Sequence, residues 1–160
     1  MNNISDTNKL KKEPVTIRRM NAADYDAVYA LWLSTSGMGL NAEDDSREGI
    51  ESYLRRNPTT CFVAETAKEI VGVILAGHDG RRGFIHHTAV KESHQRQGIG
   101  HALVEAALGA LRGEGIRKVA LVVFNRNEKG NTFWEREGFT RREDITYRNR
   151  ALAELTRMDT

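Results

Sequence analysis

The chain has 160 residues, 39% of them hydrophobic and 29% charged, a length that suits one domain with a substantial core. Its 24 basic and 22 acidic residues leave a net charge of +2, which does not favour a nucleic-acid partner. The single cysteine, Cys61, excludes an intramolecular disulfide and a cysteine zinc site, and we expect no metal. With no signal-peptide core and no apolar run of membrane length, we expect a cytoplasmic protein without a membrane partner.

The sequence predicts a tail, a strand and two helices in the N-terminal third of the chain. Residues 1–14 are polar and lack apolar periodicity, so we expect a flexible tail before a single domain over residues 15–160. Residues 15–20 alternate like a strand, and Asn21 or Asp24 can cap a helix that continues to Leu33. A second helix is predicted from about residue 45 to residue 55.

The rest of the chain alternates strands with helices. Strands are predicted at 61–65, 70–76, 84–90, 118–124, 140–144 and 147–155, and helices at 102–111 and 129–137. Asp79-Gly80 is typical of a hairpin turn between two of these strands. This order favours an α/β (α+β) fold, with a mixed, mostly antiparallel central sheet and helices on both faces.

The most informative segment is Gln95-Arg96-Gln97-Gly98-Ile99-Gly100-His101, which joins a predicted strand to a predicted helix. Backbone N–H groups at the start of a helix lack intrahelical acceptors and carry partial positive charge, so they bind phosphate, and glycine lets the backbone approach it. A dinucleotide-binding fingerprint is excluded, because Leu103 replaces its third glycine and the next strand ends at Phe124-Asn125 without an acidic residue.

Two blocks carry a resemblance to a known family. Gln95-x-x-Gly98-x-Gly100 resembles the diphosphate loop of the GNAT superfamily of acyl-CoA-dependent N-acyltransferases, and Asn127 followed by Trp134 and Gly138-Phe139 is similar to its late motif. The resemblance covers roughly residues 15–155. It implies a GNAT-like fold in which a parallel strand pair splays apart and receives coenzyme A (CoA), with acetyl-CoA as cofactor. It also implies direct attack by an amine acceptor, either a small molecule or a peptide, and is compatible with a homodimer.

The same resemblance assigns the cofactor-binding residues. They are Thr88, Ala89 and Val90 on the splayed strand, Gln95, Arg96, Gln97, Gly98, Ile99, Gly100 and His101 in the loop, and Asn127, Asn131 and Trp134 in the late motif. The Val90 N–H would stabilise the oxyanion. Other roles remain open for these residues. Arg96 can be an ordinary surface residue, Asn127 and Asn131 can cap the helix, and Trp134 can be a core residue.

His86 is the candidate general base, directly or through a water, because imidazole titrates in the useful pH range. Alternation along the strand predicts that His86 shares one face with Phe84, Thr88 and Val90, while His87 and Ala89 take the other. By resemblance, serotonin N-acetyltransferases have a histidine at the position of His86 and a second at the position of Phe84. The alternative is that His86 fills a half-polar pocket and has no catalytic role.

Two departures from the family pattern affect the chemistry. Many relatives have a Glu at the position of Val122, and the usual tyrosine acid falls at Trp134, whose indole N–H is too weak an acid. These departures motivate a second hypothesis, an acyl-CoA-binding regulatory or partner module with little turnover. Four charged residues, Asp45, Asp79, Arg82 and Asp144, are candidates to line an acceptor pocket.

Overall fold

The computed structural model of the protein describes residues 13–160, so nearly all of the predicted tail lies outside the described residues. The strands are β1 (Thr16–Arg19), β2 (Gly39–Asn41), β3 (Phe62–Glu65), β4 (Ile70–His78), β5 (Gly83–Val90), β6 (Val119–Ala120) and β7 (Arg157–Asp159). The helices are α1 (Tyr25–Leu33), α2 (Arg47–Arg56), α3 (Ile99–Gly113) and α4 (Glu128–Arg136).

Side-chain caps fix where the first two helices begin. Asn21 accepts a hydrogen bond from the N–H of Ala23, and Asp24 accepts one from the N–H of Asn21, which forms the capping box of the 3-10 turn leading into α1. Ser46 caps α2 by accepting from the N–H of Gly49 at 3.0 Å. Both helix starts lie within a few residues of the positions that the sequence predicts.

The central sheet has five strands in the order β1-β3-β4-β5-β6. The first three pairings are antiparallel, whereas β5 and β6 run parallel. The predicted mixed, mostly antiparallel α/β fold is therefore confirmed. Because α3 connects β5 to β6, the segment 95–101 lies beyond the C-terminal end of β5, after a short 3-10 turn at Glu92–His94.

A hydrophobic core lies on each face of the sheet. On one face, α1 and α2 cover Val63, Val73 and Leu75, with Trp32 of α1 fully buried among them. On the other face, α3 and α4 cover Ile74, Ala76 and Ile85, with Leu103 of α3 fully buried. The helices thus occupy both faces as predicted, and the two faces provide two distinct surroundings for the side chains of β5.

The C-terminal strand predictions are wrong. Residues 140–156 form no strand, and residues 157–159 form β7, which pairs antiparallel with β2 in a separate two-stranded sheet. Tyr147, Leu152 and Leu155, the large apolar side chains of the second predicted strand, are exposed, so no core holds them in register. The predicted strand 118–124 is also reduced to Val119–Ala120, because the chain leaves β5 after that point.

Candidate acyl-transfer site

A gap opens between β5 and β6. The two strands pair only at Gly83↔Val119 and Phe84↔Ala120, and the remaining residues of β5 have no partner on the β6 side. Successive N–H groups of an extended strand point to opposite sides, and the N–H of Lys91 donates to Val71 of β4. The N–H of Val90 therefore points into the gap, where it is available to an extended ligand.

The start of α3 lies at one end of this gap. Gly98 is the N-cap residue and has a φ of +83°, a left-handed conformation that glycine adopts without steric cost. The first helical bond runs from Ala102 to Gly98, so the N–H groups of residues 99–101 have no intrahelical acceptor. A Cβ atom built on Gly98 meets no atom within 4 Å, so this surface is open to a ligand.

The side chains around the turn shape the loop itself. Gln95 donates from Nε2 to the carbonyl of Val90 at 3.0 Å, and Gln97 donates to the carbonyl of Ser93 at 3.4 Å. Arg96 is exposed and adopts a φ of +57°, which is uncommon for a residue with a side chain. The glutamine side chains thus fold back onto the backbone, while the Arg96 side chain remains solvent-exposed beside the helix start.

Gly100 and His101 connect α3 to α4. A Cβ atom on Gly100 would lie 3.0 Å from the ring of Phe133, so glycine permits the close packing of that ring. His101 Nδ1 lies 2.9 Å from Glu137 Oε2, and this hydrogen bond raises the pKa of His101. The second glycine of the motif is therefore explained by helix packing, and His101 is held toward α4.

Asn127 and Asn131 hold the start of α4 in place. The Oδ1 atom of Asn127 accepts from the N–H of Gly130 at 2.9 Å, which makes Asn127 the N-cap. Asn131 donates from Nδ2 to the carbonyl of Phe124 at 3.0 Å and to that of Asn127 at 2.8 Å. Asn127 is thus a cap, as the sequence left open, whereas Asn131 donates to carbonyl groups and does not cap the helix.

Trp134 is a core residue. Its side chain is buried, with edge-to-face contacts to Phe133 at 5.0 Å and Phe139 at 5.2 Å between ring centroids. These contacts join the late motif into one aromatic cluster beneath α3. At the position where the family pattern has a tyrosine, this chain therefore has a tryptophan that packs in the core.

Because Trp134 packs in the core, we expect Trp134→Phe to lower stability by about 1–3 kcal/mol through lost contacts while kcat stays within about threefold of wild type. Denaturant unfolding and steady-state kinetics on the same preparation measure the two effects. A large fall in kcat with unchanged stability would contradict the packing role and indicate a direct role of the indole in the reaction.

A β-bulge sits in the middle of β5. Ile74 pairs with Thr88 and Ala76 pairs with Ile85, so the single residue Leu75 faces both His86 and His87. The alternation predicted from the sequence is therefore broken at this point, and the assignment of the two histidines to opposite faces is wrong.

Both histidines lie on the face covered by α1 and α2. The His86 ring lies edge-on to Tyr53 of α2 at 5.5 Å, and the His87 ring lies against Trp32 of α1 at 5.0 Å. Beyond the bulge, Ala89 packs into the core under α1, while Val90 packs toward α3. Val90 therefore does not share a face with His86, although its N–H still points into the gap.

His86 lies in a concave part of this face. Its ring contacts the rings of Tyr53 and Phe84, while more than a third of the residue remains exposed to the opening. Burial among these rings lowers the pKa of His86 below 6.5, and the charge of His87 lowers it further. The imidazole is therefore mainly unprotonated at neutral pH and able to accept a proton.

His87 forms a pair with Asp45 that the sequence did not predict. His87 Nε2 lies 2.6 Å from Asp45 Oδ1, and the other carboxylate oxygen accepts from the N–H of Asn41 at 2.7 Å. Asp45 is only 3% exposed, so it contacts His87 from the protein interior and lines no open surface. The residues are 42 positions apart, and no local pattern could have joined them.

A cavity of about 500 Å³ opens beside His86, within the size range of small-molecule sites. Its lining residues are Tyr53, Arg56, Asn57, Gly77, His78, Asp79, Arg82, Gly83, Phe84, His86, Lys118 and Ala120. Of the four charged residues expected around an acceptor, Asp79 and Arg82 lie here, whereas Asp45 and Asp144 do not. The cavity borders the gap, because Phe84 and Ala120 are the last paired residues of β5 and β6.

Comparison with known proteins identifies the family. A sequence profile of the acetyltransferase (GNAT) family matches residues 25–139, which is more than half of the chain. The chain belongs to the GNAT acetyltransferase family.

Related proteins match this chain over most of their own length. An acetyltransferase of Sodalis glossinidius is 28% identical over 138 residues, covering 86% of this chain and 96% of that protein. An acetyltransferase of Photorhabdus laumondii is 32% identical over 112 residues, covering 70% and 77%. The crystal structure of Ard1 from Thermoplasma volcanium superposes with a TM-score of 0.69 at 27% identity, covering 79% of this chain and 82% of that one.

A second similar structure was solved as a complex with its ligands. Diaminobutyrate acetyltransferase EctA of Paenibacillus lautus, in complex with its substrate L-2,4-diaminobutyric acid and coenzyme A, superposes with a TM-score of 0.66. It is 27% identical to this chain and covers 78% of it, while the chain covers 75% of EctA. These relatives are acetyltransferases, so this chain is assigned to the same class of enzyme.

Other residues of this GNAT acetyltransferase are unsuited to catalysis. Cys61 is 2% exposed and its thiol donates to the carbonyl of Ala76, and burial raises its pKa to about 11. Val122 is 59% exposed and carries no proton acceptor. Across residues 13–160, we find no group of three or more histidine, cysteine or acidic residues arranged to bind a metal, and no helix with the length and apolar character to cross a bilayer.

Proposed function

We propose that this GNAT acetyltransferase transfers the acetyl group of acetyl-CoA to the primary amine of a small molecule, by direct attack within a single domain of residues 15–160. One observation carries the proposal. The gap beside β5 has unpaired helix-start amides at one end and, at the other, a cavity lined by His86, whose pKa is lowered by burial.

The cofactor end follows from the backbone. In the proposed complex the diphosphate binds the N–H groups at the start of α3, where the helix dipole adds partial positive charge. Arg96 adds a cation at the same turn. The pantetheine arm lies along residues 88–90 in the manner of an added strand, and the N–H of Val90 donates to the thioester carbonyl.

The chemical step needs a neutral amine. Removing the proton of an aliphatic ammonium of pKa about 10.4 at pH 7 costs roughly 4–5 kcal/mol, and His86 accepts this proton, directly or through a water, and passes it to solvent. The neutral nitrogen then bonds to the acetyl carbon as the carbonyl electron pair moves onto oxygen, and His86 accepts the second proton from nitrogen. One oxyanion-hole donor such as the Val90 N–H contributes roughly 3–4 kcal/mol.

The carbon–sulfur bond then breaks and the electron pair leaves on the sulfur. A thiolate whose thiol has a pKa of about 8.5 is a fair leaving group, so solvent can protonate it without a tyrosine at position 134. No covalent acyl-enzyme forms, because the buried Cys61 thiol is largely protonated at neutral pH. The ligands named for EctA, an amino acid and coenzyme A, are consistent with this assignment.

Calorimetry and a transfer assay test the proposal. We expect the purified protein to bind coenzyme A, to bind pantetheine at least tenfold more weakly because the diphosphate is absent, and to transfer label from acetyl-CoA to an amine panel. Binding without transfer to any amine would favour the acyl-CoA-binding module instead. An absence of coenzyme A binding by folded protein would contradict both functions.

A further inference from the structure

The cavity beside His86 has an aromatic floor and a cationic rim. Tyr53, Phe84 and His86 form the floor through the ring contacts described above. Arg56, Arg82 and Lys118 are exposed and line the same cavity. A ligand here would therefore meet aromatic rings beside the base and positive charge at the other end.

The three cations form no salt bridge among the described residues. Among residues 13–160, none of these cations has a carboxylate oxygen within salt-bridge distance. Against these three cations the cavity lining has one carboxylate, Asp79, so the lining has a net positive charge that would attract an anion and repel a second ammonium group.

The carboxylates near the cavity are engaged elsewhere. Asp79 accepts from the backbone N–H groups of Arg81 and Arg82, both at 2.7 Å, which closes the hairpin turn and lowers its pKa. Glu114 accepts from the Thr59 hydroxyl and contacts His78 Nε2. Asp144 accepts two hydrogen bonds from Arg142, both at 2.6 Å, and these bonds are the main cause of its lowered pKa. The charge of Lys118 also lowers that pKa.

The spacing along β5 sets the distance between the two ends. Arg82 precedes His86 by four residues, which is roughly 13 Å in an extended strand, and its long side chain spans part of that distance. Lys118 lies beside the same end, because its carbonyl accepts from the N–H of Gly83. An acceptor that reaches both ends needs an anionic group several bonds away from its amine.

We infer that the acceptor is a small amino acid-like molecule whose amine is separated by several carbon atoms from a carboxylate, and that Arg56, Arg82 and Lys118 bind this carboxylate. The inference rests on the proposed function, because it assigns this cavity to the acceptor. It disfavours diamines and polyamines, which would place an ammonium group against the cationic rim.

Three amines of equal chain length test the inference. They are 5-aminopentanoate, pentylamine and 1,5-diaminopentane, which share an amine on four methylene groups and end in a carboxylate, a methyl or a protonated aminomethyl group. We expect kcat/KM for 5-aminopentanoate to exceed that for pentylamine at least tenfold, with the diamine below both. Equal values, or a preference for the diamine, would overturn the inference and leave the proposed function intact.

Charge variants locate the effect. In the double variant Arg56→Gln, Arg82→Gln, the ratio of kcat/KM between 5-aminopentanoate and pentylamine should fall toward one. Arg81→Gln is the matched control, because Arg81 is exposed in the same turn but does not line the cavity, and the ratio should stay at its wild-type value. An unchanged ratio in the double variant would contradict the assignment.

Product binding keeps the test independent of turnover. Calorimetry in the presence of coenzyme A should give at least tenfold tighter binding for 5-acetamidopentanoate than for N-pentylacetamide. If no amine is acetylated but this preference is present, the proposed function fails and the carboxylate site stands. Equal or undetectable binding of both products would overturn the carboxylate site.

Discussion

Gly98→Val should weaken the binding of coenzyme A at least 100-fold. Gly98 has a φ of +83°, a conformation that a β-branched residue essentially does not adopt, so the turn must rearrange and move the amides at the start of α3. Hydrogen bonds to a charged group contribute about 1.5–3 kcal/mol each, so losing two accounts for that loss. Calorimetric titration with coenzyme A measures it directly.

The matched control is Gly109→Val in the same helix. Gly109 is exposed, and a Cβ atom there meets nothing within 4 Å, so valine should leave coenzyme A affinity unchanged. Thermal unfolding of both variants establishes that each is folded. A folded Gly98→Val variant with wild-type affinity would remove the phosphate assignment and with it the proposed cofactor.

His86→Ala should lower kcat by at least tenfold while the dissociation constant of coenzyme A stays within about twofold. A positioned general base typically contributes about 10²- to 10⁴-fold, and the ring lies in the cavity, away from the start of α3. Rapid-mixing or steady-state kinetics with saturating acetyl-CoA measure the change. His94→Ala is the control, since the His94 ring is hydrogen-bonded to its neighbour Ser93 in the turn after β5. A kcat equal to wild type would exclude His86 as the base.

The pH profile separates a base from a packing residue. The pKa of His86 is lowered below 6.5 by burial and by the His87 charge, so the active unprotonated form is lost only as the pH falls through a value below 6.5. Above that value, deprotonation of the acceptor amine raises kcat/KM further toward its own pKa of about 10. The inflection below pH 6.5 should be absent in His86→Ala, and its persistence would assign it to another group.

Local patterns were sufficient to predict most elements, including the turn and helix start at Gly98. The helices over Tyr25–Leu33, Arg47–Arg56 and Ile99–Gly113 were predictable because apolar periodicity and caps act over a few residues. The strand, turn and helix around Gly98 were predictable for the same reason, since the start of a helix exposes its amides wherever that helix packs. The C-terminal strands were mispredicted because strand formation depends on a distant partner.

The arrangement around the candidate base could be obtained only from the tertiary structure. The bulge at His86 and His87 arises from the pairing of β5 with β4, and it contains no glycine that would reveal it. The same long-range packing buries the His87–Asp45 pair and brings Arg56 of α2 to the cavity that Arg82 lines.

The sequence alone therefore predicted the fold class, which the structure confirms, and proposed a phosphate-binding turn and a candidate base, because short-range backbone geometry and side-chain chemistry suggest them. Which face the histidines occupy, which asparagines act as caps and which charges surround the cavity depended on how distant segments pack. Strand register and helix docking are non-local, since each is set by the partner as much as by the segment itself.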